Sequence, residues 1–432
     1  MTLLPGRSFS LVRSWPPFRL RALFVIVGLC SSTVTALAAP ARPAPALPSP
    51  TGTVVNVSTE AQLQAAVSAM SSNKTIVIAP GTYTLTSTLY INGTFVNVAL
   101  RGATNNADDV VLVGAGMENA SYGAVPYGIW VGGNVQGIMI ANLTVRDLYY
   151  HPIIFNAGTQ SPHVYNVRLV NAGQQFLKSN PDSSGGGVNN GVVEYAVVEY
   201  DATSRDSYTN GVDVHTGQNW IIRNSMFRNI RAPQGQLAGP AILMWNRSSN
   251  STAEGNTFID CQREIAFGLI ERTPSDHSGG IIRNNFIYRS SSVNGDVAIG
   301  VFDSPNTQVV FNSVLISGTY PNAIEYRFVG ATGVFIANNL LAAAIQARDG
   351  ATGTVAGNYT QASPVLFVNA PAGDLHLKST AAVAIHQAGP LTSCPTDWDG
   401  QSRPQASAND IGADEYQSTS PPSAPTNLRI TR

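Results

Sequence analysis

An aspartate and a histidine stand one residue apart in "NGVDVHT", Asn210 to Thr216, as Asp213 and His215. Histidine is the side chain that most often takes or gives a proton near neutral pH. Lys178 in "QFLKSN" offers a fixed positive charge, and Tyr208, ahead of the pair in "SRDSYTN", offers a second proton-transfer group. A base, a proton donor and a cation suit removal of a proton next to a carboxylate, because the anion that develops needs charge already in place. Polar residues also belong on the wet side of any half-buried sheet. The elements carrying these residues therefore decide between chemistry and surface.

Val212 and Val214 alternate with Asp213 and His215, which reads as a strand with an apolar inner face and two outward titratable groups. Similar short runs recur along the chain. Segments ending at Asn142, Asn166, Asn224, Asn256, Asn284, Asn312, Asn338 and Asn358 resemble one another, with Tyr195 in the same place in "GVVEY". Their spacing is 20 to 32 residues, and each step holds three short runs rich in Val, Ile and Phe. Self-similarity at this period means a solenoid, and runs this short are strands. The expected fold is all-β, a right-handed parallel β-helix with three strands per coil. Asparagine suits its corners because it tolerates left-handed backbone angles, and stacked asparagines can bond to one another as a ladder.

Open solenoid ends need covers. In "STEAQLQAAVSAM", Thr59 and Gln62 form a capping box, and Leu63, Val67 and Met70 share one helical face. This predicts an N-terminal helical cap near 59–71. A C-terminal closing segment is expected over 373–416, after a β-helix over 53–372, with a disordered tail at 417–432.

Aligning the coils puts "GIWVGG", "PIIFNA", "QFLKSN", "GVDVHT", "AILMWN", "EIAFGL", "VAIGVF" and "AIEYRF" on one sheet. Alternation then gives outward pairs: Trp130 with Gly132, Ile154 with Asn156, Phe176 with Lys178, Asp213 with His215, and Leu243 with Trp245. The later coils add Ala266 with Gly268, Ala298 with Gly300, and Glu325 with Arg327. Lys178 and His215 become neighbours, since adjacent strands lie about 4.8 Å apart. Asn156, Arg205, Arg231, Trp245 and Arg263 are candidate substrate-binding residues around them. Nine arginines against seven acidic residues between 205 and 289 suggest a cationic middle. Outward side chains add little to a core, so replacing Lys178 or His215 is expected to change stability little.

The opening "IVIAPGTYTL", the Asn-ended coils and the closing "DIGADEY" resemble the pectin-lyase-like right-handed β-helix superfamily, from about Thr53 to Tyr416. The order Asp213–Val214–His215 is similar to the aspartate–proline–histidine motif of mannuronan C5-epimerases, with Val214 in place of proline. That resemblance implies that Asp213 handles a substrate carboxylate, His215 transfers a proton and Lys178 stabilises charge. Asn210 stands where that family has a catalytic tyrosine, and Tyr208 is the nearest replacement. The function this implies is action on an anionic, uronic-acid polysaccharide, by β-elimination as a lyase or by C5 epimerisation. A glycoside hydrolase, pairing Asp213 with Glu264 or Glu325, and a non-catalytic glycan-binding protein are the alternatives.

Four of the 25 basic residues, Arg7, Arg13, Arg19 and Arg21, lie in the first 39 residues, which hold no acidic residue and continue into "ALFVIVGLC" and "TALAA". This is the layout of a secretory signal peptide, too short in its apolar run to span a bilayer. A secreted protein, extracellular or periplasmic, is expected after its removal. The remaining 21 basic against 26 acidic residues give a net charge of −5, a poor fit to nucleic-acid binding. Residues 40–52 read as a Pro/Ala linker. No membrane insertion is expected, and a monomer is. No cofactor and no metal site is called for; Ca²⁺ is left open, with Asp182 and Asp201 as its nearest donors. Cys261 and Cys394 are left open as a pair, spacing alone being unable to decide.

Overall fold

A computed structural model of the chain describes residues 41–405 and 407–417. The signal peptide expected at 1–39 and the tail expected at 417–432, apart from residue 417, lie outside the described residues. No described helix is long and apolar enough to cross a membrane.

The chain winds as a right-handed parallel β-helix. One wall is a ten-stranded parallel sheet, with strands β1 (Leu89–Val96), β2 (Ile129–Gln136), β3 (Ile153–Asn156), β4 (Leu177–Asn180) and β5 (Val212–His215). It continues through β6 (Ile242–Trp245), β7 (Ile265–Phe267), β8 (Ile299–Phe302), β9 (Asn322–Arg327) and β10 (Ala344–Arg348). The other walls come from two short strands per coil, such as Ile221–Arg223 and Met226–Arg228. Val212, Val214, Ile222 and Phe227 of that coil are fully buried, so each wall turns its apolar side to one central core.

The corner between the two short strands needs a left-handed residue. Asn142, Asn166, Asn224, Asn284 and Asn338 supply it with φ of 49° to 59°. In other coils Gly255, Phe311 and Gly357 take that corner, and Asn256, Asn312 and Asn358 follow one residue later. The ladder uses this later position: Asn256, Asn285, Asn312 and Asn339 each donate Nδ2 to the Oδ1 of the next asparagine, at 3.1, 2.9, 2.9 and 2.8 Å, and Asn358 accepts the last of these bonds. Alignment on a single asparagine per coil merges two positions with different duties, one bending the backbone and one linking the coils.

Helix α1 (Glu60–Ser68) covers the first coil, burying Leu63 and Val67, with Met70 buried just beyond it. Thr59 Oγ1 accepts the Gln62 amide at 3.2 Å, and Gln62 Oε1 accepts Ser58 N–H at 2.9 Å. The C-terminal segment covers a flank of the later coils. Its Leu375, Leu377, Cys394, Ile411 and Ala413 form a second apolar cluster with Phe286, Phe311 and Leu340. Cys261 belongs to the main core, so the two cysteines lie in different clusters and both are free. The stretch before Thr53 is tied down: Ala44 and Pro48 carbonyls accept from Asn105 and Arg101, and the Arg42 guanidinium lies 4.0 Å over the Trp398 ring. A proline-rich stretch cannot pair its carbonyls within itself, and the strand residue Arg101 and the loop residue Asn105 bond them here.

Candidate active site

Strands β4, β5 and β6 bring the sequence-selected residues together. Lys178 is in register with Asp213, and His215 with Trp245. Lys178 Nζ donates to Asp213 Oδ2 at 2.6 Å and lies 3.1 Å from His215 Nε2. Trp245 Nε1–H donates to Asp213 Oδ1 at 2.8 Å. His215 Nε2 is 3.5 Å from Asp213 Oδ2, longer than its contact with Lys178. The Tyr208 ring stands above this group, its centroid 5.7 Å from Lys178 Nζ, and is 57 % exposed.

These side chains point away from the core, yet two of them are buried. Side-chain exposure is 8 % for Lys178, 2 % for Asp213 and 16 % for His215. Outward is therefore not the same as wet on this face. Burial by itself would raise the Asp213 pKa; the His215 hydrogen bond and the Lys178 charge outweigh it and hold the carboxyl below its usual value. Asp213 thus stays ionised. An ionised, covered carboxylate repels another carboxylate, so its place suits it to hold Lys178 and His215, and not to meet a substrate carboxylate as the epimerase resemblance implies.

The other candidates fare unevenly. Trp245 is in the group, its ring 4.5 Å from that of His215. Asn156 lies on the same face, but its Nδ2 donates to the Val131 carbonyl at 3.1 Å. Arg205 stacks 4.2 Å over Tyr149 and reaches Asp206 at 3.4 Å. Arg231 is bound by Asp260 and Arg263 by Asp296, at 3.2 and 2.7 Å. Of the nine arginines between 205 and 289, eight are ion-paired, and Arg247 is exposed. The cationic middle is thus a composition effect: partners Glu194, Glu199 and Asp296 lie outside that window, one coil away. Two outward assignments also change. Phe176 and Ala298 are fully buried, and the outward partners are Asn180 for Lys178 and Phe302 for Gly300. Both errors sit one residue ahead of a strand, where the chain is still turning and alternation does not apply.

Carboxylate pairs for hydrolysis are absent among the described residues named for that role. Glu264 is fully buried against Arg289 at 2.6 Å. Glu325 is held by Tyr320, Asn322 and Arg348. Its register partner chain leads back through Gly300, Ala266 and Leu243 to Asp213, four strand steps or about 19 Å. Glycosidase pairs lie within about 10 Å. Asp182 and Asp201 are also apart, the first bonded within its own loop to Ser184 and the second to Arg146 and Asn171.

His151 is the residue that sequence reasoning missed. It precedes β3, at a corner, so alternation gives no sign of it. Its ring is buried, stacks on Tyr127 at 5.7 Å, and its Nδ1 lies 2.9 Å from the Gln175 carbonyl. A carbonyl only accepts, so Nδ1 carries the proton and Nε2 keeps a free lone pair. Burial lowers its pKa to about 4, and the Lys178 charge adds to this. His277, fully buried, is lowered to about 3 for the same first reason. Both groups bind more protons unfolded than folded between those values and 6.5, so the stability they contribute is present above about 6.5 and is lost as pH falls. Chemical unfolding between pH 7 and 4 should show this slope, and His151→Leu should flatten it; an unchanged slope would remove His151 from the account.

Fold and site together define a right-handed parallel β-helix carrying a Lys–Asp–His group on one sheet. No family model and no curated protein matches the sequence. Among solved structures, an alginate lyase from Paenibacillus sp. str. FPU-7 is 14% identical, with a TM-score of 0.40, covering 72% of this chain and 99% of its own. Pectate lyase Pel9A is 15% identical at a TM-score of 0.42, covering 82% and 90%. PfbA, a surface adhesin of Streptococcus pneumoniae, is 13% identical at 0.40, covering 70% and 85%. Likenesses at this level span enzymes and an adhesin and decide nothing about activity.

Proposed function

We propose that the protein is secreted and acts on an anionic, uronic-acid polysaccharide, as a lyase by β-elimination. The observation that carries this reading is the Lys178–Asp213–His215 group, where an ammonium held by a buried carboxylate adjoins a histidine that is open to solvent on one side. In the reaction His215 takes the proton from C5 of a uronate. The electron pair forms the C4–C5 double bond, the C4–O bond breaks, and the departing oxygen takes a proton from the Tyr208 hydroxyl. Lys178 faces the charge that gathers on the uronate carboxylate as C5–H breaks, where a preorganised cation has its largest effect. The reading requires no metal. A C5-epimerase would use the same groups and return the proton to the opposite face of C5.

The test is a screen of purified protein against alginate, pectate, glucuronan and glycosaminoglycans, following ultraviolet absorbance. A rise with one of them supports the lyase. Uronate inversion without absorbance identifies the epimerase. New reducing ends without absorbance, or binding with no product, overturn both in favour of a hydrolase or a glycan-binding protein.

A further inference from the structure

Two aromatic rings lie flat on the outer face of the ten-stranded sheet, on either side of the Lys–Asp–His group. Trp130 of β2 covers Gly132, where a Cβ would come 2.3 Å from the indole six-membered ring. Phe302 of β8 covers Gly300, where a Cβ would come 2.5 Å from the phenyl ring. In both strands the glycine two residues away leaves room for the ring to lie down, which turns its opposite face outward. Both rings are half-buried, and Tyr90, register partner of Trp130 and half exposed, extends the first platform at 5.6 Å.

The platforms belong to one continuous register. Trp130 pairs with Ile154, Ile154 with Lys178, and Lys178 with Asp213. Asp213 leads through Leu243 and Ala266 to Gly300, beside Phe302. From β2 to β8 is six strand steps, roughly 29 Å, with the reactive residues on β4 and β5 in its interior. A pyranose ring repeats at a distance comparable with one strand step, and its apolar C–H face suits an exposed aromatic face.

We infer that Trp130 and Phe302 are stacking subsites at the two ends of a groove that takes roughly seven pyranose rings, so that a polysaccharide is engaged and cut within its length and not from an end. The occupant rests on the proposed function; the platforms and their spacing do not. An exo-acting site would be walled on one side of the reactive group, and this face carries a platform on both.

The experiment measures binding of uronate oligomers of defined length to the full chain carrying His215→Ala, which prevents turnover. Affinity should climb with length to about seven rings and then level off. Trp130→Ala and Phe302→Ala should each weaken long oligomers roughly tenfold while leaving trimers nearly unchanged. Trp130→Leu, which still covers Gly132 but has no flat face, guards against misfolding and should behave as Trp130→Ala. Length-independent affinity, or wild-type binding by Trp130→Leu, overturns the inference even where the native protein turns the polymer over. Length-dependent, Trp130-dependent binding without any turnover by the native protein supports the subsites and overturns the lyase reading alone. Absence of binding to every oligomer overturns both.

Discussion

His215→Ala should lower turnover of the uronate polymer by about a hundredfold to ten-thousandfold, the usual range for losing a positioned proton-transfer group. Its stability should stay close to that of the native chain. The reason for the separation is geometric. The His215 side chain sits at the open rim of the group, with Lys178 and Asn246 as polar neighbours and the Trp245 ring beside it. Its removal leaves Lys178 and Asp213 bonded to each other and Asp213 still bonded to Trp245. Initial rates from ultraviolet absorbance and a thermal melt on the same preparations give both quantities. A loss under tenfold with the melt unchanged would show that His215 transfers no proton in the rate-limiting step.

Removing one member of the Lys178–Asp213 pair should have the largest effect on stability. Lys178→Met leaves the Asp213 carboxylate nearly covered with only the indole N–H and His215 to answer it. Breaking a buried pair from one side typically costs about 3–5 kcal/mol, because the remaining charge is stranded. Asp213→Leu should cost a similar amount by stranding the ammonium. The double variant Lys178→Met/Asp213→Leu should recover most of the loss, since two apolar groups can fill the same space without a desolvated charge. Urea unfolding of the four proteins closes the cycle. The pair also predicts an acid limb. Asp213 has a lowered pKa when folded, so the stability it contributes is present above its ordinary value near 3.9 and is lost as pH falls through the folded value. In the double variant that part of the acid limb should vanish. Single variants as stable as the native protein would mean the pair is solvated in solution, and the expectation from outward orientation alone would stand.

The repeat made the architecture legible because a solenoid writes its period into the chain: every coil must bury the same three apolar runs and turn the same corners. The capping helix was legible for a similar reason, since Thr59, Gln62, Leu63 and Val67 interact within one or two helical turns. The asparagine ladder was half legible. "RNN" at 283–285 and "ANN" at 337–339 contain both the corner residue and the ladder residue, and only the positive φ at Asn284 and Asn338 separates them. Phe176 and Ala298 show where local reasoning stops. Alternation holds inside strands of three or four residues and fails at the corner just ahead of them.

What the sequence by itself determined is everything with a local period: the β-helix, the sheet that carries Asp213 and His215, and the outward direction of both. These follow from a two-residue alternation and a coil-length repeat, which need no knowledge of distant contacts. Tertiary structure alone decided how far outward residues are covered, which charges are answered, and which corner residues join the group. Lys178 meets Asp213 across 35 residues, and the arginines of the middle coils meet acids about 29 residues away. His151 meets the next coil at the Gln175 carbonyl, three residues ahead of Lys178, from a coil whose loop has a length of its own. Loops between coils vary in length without a period, so their folding over the sheet face is set only when the coils stack. That stacking buries Asp213, answers the arginines, and turns a row of outward side chains into a site.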